Sequence, residues 1–475
     1  VNILAIDQGT SSTKGLVLDD AGQILARSVA PVSTVPAADG GVELDPEALY
    51  RSVLDAGNAA VAAARVEVSA VGFANQGETV LAWNRETGSP AGPAISWQDR
   101  RASPLPEPIE ASGQRLCEIT GLPLDAYFAA PKMQWLRGQG AQGVITTSDT
   151  WLLQRLTGAY VTDVTTASRT MLLDLDERDW SGEAAQIFGI DIEMLPPVVG
   201  CATVIGETAA FGGRLPVCGL AVDQQAALLG EGCVEFGAAK CTFGTGAFLL
   251  VNMGAERCRS VGGLSASVAW EAGGQAAYCL DGQVYSVGAA VDWLVQLGAL
   301  VRAEDLDGVL GSVLDSGGVS VVPAFAGLGA PYWKPGAHAL IEGIDLATTP
   351  AHLVRATLDG VAAQIAVLVA VVERDAGTAL RSLRVDGGLS RSAAFMQLVA
   401  DVTQLPVEVF PSPDATALGV AALAVAGFEG TSTLSPFPYA GIVRCIEPLV
   451  GADEAATRRR CYEQAVARVI EGCES

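Results

Sequence analysis

A strand, a short turn containing Gly-Thr and a second strand occur twice in this chain, and that repetition limits its possible folds more than any other feature. Ile3 to Ile6 has the apolar character of a buried strand, and Asp7-Gln-Gly-Thr-Ser-Ser-Thr-Lys14 reads as a polar turn. Gly15 to Leu18 resumes as a strand, and Gln23 to Val32 is a third after the turn at Asp19 to Gly22. In the second half the order returns as Ala239 to Thr242, the turn Gly244-Thr-Gly246, and Phe248 to Asn252. Two β-meander domains of this kind, with their polar turns facing one another, would enclose a nucleotide. The length of 475 residues exceeds what one core organises, so two domains are expected, residues 1–230 and 231–475, with a cleft between them.

Between the repeats stands Leu220-Ala-Val-Asp-Gln-Gln-Ala-Ala-Leu-Leu-Gly230. The pair Asp223-Gln224 follows an apolar run and precedes an Ala/Leu run of helical character, which puts a carboxylate at a strand-to-helix junction. A residue so placed can simply cap the helix, or it can be a proton acceptor. The Gly244-Thr-Gly246 turn that follows can be a plain tight turn, or a tip offering N–H groups and a hydroxyl to an anion.

Composition decides some of this. Only His338 and His352 are histidines, so the first 337 residues can build neither a Ser-His-Asp triad nor a His-rich zinc site, and Asp or Glu is the natural base there. The formal charge of −24, with no basic run beyond Arg458-Arg459-Arg460, argues against nucleic acid as a partner. A bound phosphate must then be met by a few local donors and a metal ion. Ten cysteines without any C-x-x-C fit reduced core thiols and a cytoplasmic setting. The longest apolar stretches, Ile365 to Val372 and Ala415 to Phe428, are too short or too Gly-broken to span a bilayer, so no membrane is expected.

Further along, Asp45 to Ala64 has helical spacing, and Ala70 to Ala74 is a strand leading to Asn75-Gln-Gly-Glu-Thr79. Ala94-Ile-Ser-Trp-Gln-Asp-Arg-Arg101 packs an indole, an amide, an acid and two cations into eight residues, which suits a site better than a core. His352 to Asp375 is a long helix, and Leu383-Arg-Val-Asp-Gly-Gly388 ends a strand in a glycine pair that lets a ligand approach the backbone. Ser392 to Thr403 is helical, and Ala415 to Phe428 is a small-residue helix closing the core. The polar turn Asp7 to Lys14 could hold a hydrated Mg²⁺ and phosphate oxygens, although no G-x-x-x-x-G-K-[ST] loop occurs.

Asp7-Gln-Gly-Thr10, Asn75 to Thr79, Trp97-Gln-Asp-Arg-Arg101, Asp223-Gln-Gln225, Gly244-Thr-Gly246, Pro323-Ala-Phe-Ala-Gly-Leu-Gly-Ala-Pro-Tyr-Trp333 and Asp386-Gly-Gly388, in this order, resemble the FGGY carbohydrate kinase family and, within it, the glycerol kinase branch. The resemblance covers nearly the whole chain. It implies an α/β protein of two actin/Hsp70-like (ribonuclease H-like) ATPase domains, ATP and Mg²⁺ as cofactors, and a small polyol or sugar as the phosphorylated partner. It also implies roles. Asp223 would be the general base; Glu78, Trp97, Tyr127, Asp223, Gln224 and Phe248 would line the substrate pocket. Thr10, Ser11, Lys14, Thr245, Gly288, Gly388 and Ser392 would face the nucleotide, and Asp7 the metal. The assembly, a homodimer or otherwise, is left open.

Two positions depart from the pattern. Glycerol kinases typically read Asn-Gln-Arg-Glu-Thr where this chain has Gly77, and Asp292 stands where an amide is usual. A missing Arg both enlarges a pocket and removes donors, so a polyol longer than glycerol is one expectation; a swing of Arg100 or Arg101 into the gap, keeping glycerol, is the other. Xylulokinases typically show a Met-His pair in this segment, which is absent, so ketopentoses come second. An ATP-driven switch of the same fold and a nicotinamide dehydrogenase are the rivals from other classes. The first has no use for the carboxylate-aromatic set around Asp223, and the second lacks its Gly-x-Gly-x-x-Gly.

Overall fold

The computed structural model describes residues 1–437 and 444–474. Its two main sheets share one plan. In the first, the strands run in the order Ile24–Pro31, Ser12–Leu18, Ile3–Gln8, Ala70–Asn75 and Leu215–Val222, with Ala202–Thr208 at the edge. In the second the order is Gln275–Val284, Ala247–Gly254, Ala239–Phe243, Leu383–Asp386 and Val407–Val409, flanked by Ser265–Ala272 and Arg444–Ile446. In both, the first three strands pair antiparallel and the next two pairings are parallel. The repeat expected from the two Gly-Thr turns is therefore a repeat of whole sheets.

The first strand is buried along its entire length because both faces of its sheet are covered, which is why it reads as an unbroken apolar run rather than an alternation. Helix Pro46–Ala64 covers one face. Asp45 caps it by accepting from the Glu47 N–H at 3.0 Å, Pro46 opens the first turn, and Arg65 ends it in the left-handed region at φ 54°.

The other face is covered by a helix from the far end of the chain. Ala415–Glu429 packs on strands of the first sheet and crosses helix Asp223–Gly230, so it does not close the second domain's core as its sequence position suggests. The crossing is backbone on backbone. A Cβ on Gly419 would stand 1.8 Å from the Ala226 carbonyl oxygen, and one on Gly230 would stand 1.9 Å from that of Ala415. Beneath the same helix, Gly72 and Gly219 leave room for Val420 and Ala424.

Two further expectations need correction. Helix Pro350–Ala376 is 27 residues long and runs straight through Gly360, so length and mean hydropathy alone would let it cross a bilayer; however, 83% of its apolar window is buried. It is a core helix, capped by Thr349 and His352. The opening polar turn is also shorter than expected. Strands reach Gln8 and restart at Ser12, so Lys14 sits in a strand opposite Asp7.

Gly419→Ala is expected to destabilise the protein by about 2–3 kcal/mol, the upper part of the overpacking range. Gly472→Ala, in open space within helix Ala452–Glu474, should cost nothing. Urea denaturation of the two variants measures the difference.

Candidate active site

Three parallel strands of the first sheet end side by side, with Gln8 opposite Asn75 and Asn75 opposite Val222. Their carboxyl ends deliver Asp7, the segment Gln76-Gly77-Glu78 and Asp223 to one place, where ligands bind in open α/β sheets. In the second sheet Thr242 lies opposite Asp386, and the turns beyond them carry Gly244-Thr-Gly246 and Gly387-Gly388. The two sets face each other across the cleft.

The cleft floor is a cavity of about 550 Å³. It gathers all six residues assigned to the substrate, Glu78, Trp97, Tyr127, Asp223, Gln224 and Phe248, together with Thr10 and Ser11. Trp97 is edge-on to Tyr127 and Phe248, with ring centroids 6.0 and 5.8 Å apart, and its indole N–H donates to the Thr10 hydroxyl at 2.8 Å. The aromatics thus form one wall rather than three separate core residues.

Asp223 begins its helix but does not cap it through its side chain; the N-cap is Val222, which has no side-chain cap bond. Among the described residues the Asp223 carboxylate accepts only the N–H of Gln224, at 2.7 Å. Burial pushes its pKa up to about 7, the nearby charges of Asp7 and Glu78 push the same way, and Lys240 opposes them. A carboxylate so perturbed in a cleft is suited to proton transfer. Lys240, fully buried, donates to Gln224 Oε1 at 2.5 Å and to the Thr242 hydroxyl at 2.8 Å, which fixes the amide beside Asp223.

Three lining residues had no signal in the sequence: Arg169, Asp281 and Gln283. Arg169 Nε donates to Glu78 at 2.7 Å and its Nη1 to Asp281, while Gln283 donates to the other oxygen of Asp281. Arg169 lies in a buried, Thr-rich stretch that reads as core. Only the alternation of strand Gln275–Val284 could have placed Asp281 and Gln283 on one face. Neither Arg100 nor Arg101 swings into the gap at Gly77. Arg100 pairs with Asp125 at 2.6 Å and Arg101 with Asp99 at 2.7 Å. A Cβ on Gly77 would lie 2.9 Å from Val222 Cγ2, so a valine methyl occupies the start of that gap.

A second cavity, about 460 Å³, adjoins the first through Gly244 and Thr245, which line both. Thr245, Gly288, Gly388 and Ser392, all assigned to the nucleotide, line it, as does Asp292. Gly288 N–H donates to the Gly244 carbonyl at 3.0 Å, and a Cβ there would meet that oxygen at 2.6 Å, so glycine is required for the helix to approach the turn. Gly387 adopts φ 89° with Phe243 directly behind it. Ser392 caps helix Ala393–Thr403 and donates to Asp307, so its hydroxyl is engaged within the protein.

Asp7 and Lys14 line neither cavity. Lys14 Nζ lies 3.1 Å from Asp7 and 3.2 Å from the Pro413 carbonyl. Among the described residues no cluster of three or more His, Cys, Asp or Glu side chains could hold a metal. Mg²⁺ keeps most of its waters and takes one or two carboxylates plus phosphate oxygens, and the charges of Asp7 and Glu78 both act on Asp223 here.

Duplicated sheets, with a buried carboxylate at the carboxyl edge of one and glycine-lined turns on the other, frame two adjoining cavities. Comparison with known proteins gives the family. The N-terminal domain of the FGGY family of carbohydrate kinases matches residues 2–230, and its C-terminal domain matches residues 239–428. The chain is 40% identical to a glycerol kinase of Bordetella parapertussis, covering 98% of this chain and 96% of the relative. It is 39% identical to a glycerol kinase of Alkalilimnicola ehrlichii, covering 98% of each. The crystal structure of Plasmodium falciparum glycerol kinase with ADP superposes with a TM-score of 0.88 at 30% identity, covering 98% of each chain. The protein belongs to the FGGY carbohydrate kinases, phosphotransferases that act on an alcohol group, and has their two actin/Hsp70-like domains.

The raised pKa of Asp223 has a measurable consequence for stability. In the unfolded chain an aspartate titrates near 4, and in the folded protein near 7. Stability is therefore greatest with the group protonated and falls as pH rises through that window. Asp223→Asn removes the loss. Thermal denaturation should show the variant gaining on wild type between pH 5 and pH 8, and a constant difference would contradict the raised value.

Proposed function

We propose that the protein transfers the γ-phosphoryl group of ATP to a terminal hydroxyl of glycerol or a linear polyol somewhat longer than glycerol, with Asp223 as general base. The observation that carries this reading is the convergence of Asp223, its pKa raised to about 7, with the aromatic wall and the acceptors Glu78 and Gln224 in one cavity. The names of the relatives support the same substrate class.

The polyol's carbons lie against Trp97, Tyr127 and Phe248, and its hydroxyls bond to Glu78 and Gln224. Asp223 takes the proton of the reacting hydroxyl as its oxygen bonds to the γ-phosphorus; the bond from that phosphorus to the bridging oxygen breaks, and ADP leaves. Thr245 and the N–H groups of its turn, with Thr10 and Ser11, hold the transferring oxygens, while Gly288 and Gly388 let the nucleotide reach the backbone. Asp7 would hold Mg²⁺, which would supply charge neutralisation there. Lys14, paired to Asp7, orients that carboxylate from behind rather than touching the nucleotide.

The ten cysteines form no disulfide among the described residues, which suits a reducing compartment, and we place the enzyme in the cytoplasm. The charge of −24 argues against nucleic acid as a partner.

Polyol-dependent release of one ADP per polyol consumed tests the reading, and ATP hydrolysis indifferent to every polyol would overturn it. Asp223→Asn is expected to lower kcat by about 10²- to 10⁴-fold, the usual size of a general-base contribution, with the KM for ATP little changed. Asp7→Ala should raise the Mg²⁺ concentration needed for half-maximal turnover; an unaltered Mg²⁺ titration would remove Asp7 from the metal site.

A further inference from the structure

The cavity that holds Asp223 is acidic. Glu78, Asp223 and Asp281 line it, and among the described residues Arg169 is its one cation. A polyol hydroxyl placed there finds carboxylates to receive its hydrogen, but its oxygen also needs a donor, and Gly77 has no side chain to supply one.

Arg169 is 5% exposed and held from two sides. Its Nε donates to Glu78 Oε1 at 2.7 Å, its Nη1 donates to Asp281 on the second sheet, and its guanidinium lies over the Phe128 ring, 5.3 Å from the centroid. The remaining nitrogen, Nη2, has no partner among the described residues, yet it is not one of the partnerless atoms that the fold seals from solvent. Because Arg169 lines the cavity, Nη2 is the part of the guanidinium open to a ligand.

Nε and Nη2 share one edge of the planar group, which sets Nη2 beside the Glu78 carboxylate. Glu78 Oε1 is taken by Arg169, while Oε2 has no partner among the described residues and is likewise not sealed. A donor and an acceptor thus stand side by side on the cavity wall, and one hydroxyl can use both. The arrangement is fixed. Glu78 sits at φ 54°, a left-handed conformation that a glutamate keeps only where its surroundings impose it, and the bond to Asp281 keeps the guanidinium from turning away.

We propose that Arg169 is an acceptor-binding residue, its Nη2 donating to the oxygen of a polyol hydroxyl whose own hydrogen goes to Glu78. This rests on the acceptor-site reading given above. A site built to bond a hydroxyl discriminates against an analogue that lacks it, because its own polar groups are then left unpaired.

The test is kcat/KM for glycerol and for its two deoxy analogues, each a propanediol lacking one hydroxyl, with KM for ATP as control. Wild type is expected to favour glycerol over at least one of the diols by about tenfold or more. In Arg169→Lys, which keeps a positive charge between the two carboxylates but loses the fork, that ratio should fall toward one, with KM for ATP unmoved. Glu78→Gln, which leaves the guanidinium in place, should lower the ratio for the same diol, because both side chains hold the same hydroxyl. Wild-type indifference to either missing hydroxyl, or a ratio that survives both substitutions, would overturn this inference and leave the kinase reading standing. Failure of every polyol to support turnover would overturn both.

Discussion

The contact on which the rest depends is the crossing of helices Asp223–Gly230 and Ala415–Glu429 at Gly230 and Gly419. Each glycine lies against the other helix's backbone, closer than any side chain would allow. The first helix begins with the candidate base; the second comes from the sequence of the other domain yet covers the first sheet. A close-packed joint of this kind is rigid. It ties Asp223 to the first sheet and brings the glycine-lined turns of the second sheet within reach. The two cavities of the cleft then share Gly244 and Thr245 as a common wall.

The electrostatics of the floor follow from that geometry. Three carboxylates, Asp7, Glu78 and Asp223, are brought near one another at strand ends and meet three buried or half-buried cations in different ways. Lys14 and Arg169 form ion pairs with Asp7 and Glu78, while Lys240 acts on Asp223 from beyond Gln224. Asp223 has no ion pair among the described residues, and its pKa is raised. Desolvation and like charge raise it, and a cation too distant to pair only moderates the shift. Burial, more than any single pair, brings Asp223 to titrate near neutrality.

Much of this was legible in the residues. Asp223 at a strand-to-helix junction, the Gly-Thr turns and the glycine pair at 387–388 are local signals, because a strand end, a tight turn and a close backbone approach each demand particular residues within a few positions. The absence of histidine from the first 337 residues pointed to a carboxylate base for the same kind of reason. The repeat and the order of its strands could be read because apolar runs and turn residues record secondary structure directly.

What the tertiary structure alone decided is everything that depends on partners distant in sequence. Arg169 reaches Glu78 across 91 positions and Asp281 across 112, and no local pattern distinguishes such a buried arginine from a core residue. Lys14 was read as part of a polar turn; strand pairing instead set it in a strand opposite Asp7. Helix Ala415–Glu429 is apolar on all sides, so its composition reports burial without saying on which sheet. The sequence by itself determined most of the elements, the likeness to the family and Asp223 as the candidate base. The folded chain decided which charges pair and which sheet each helix covers, because both are settled by contacts between segments that share no sequence neighbourhood.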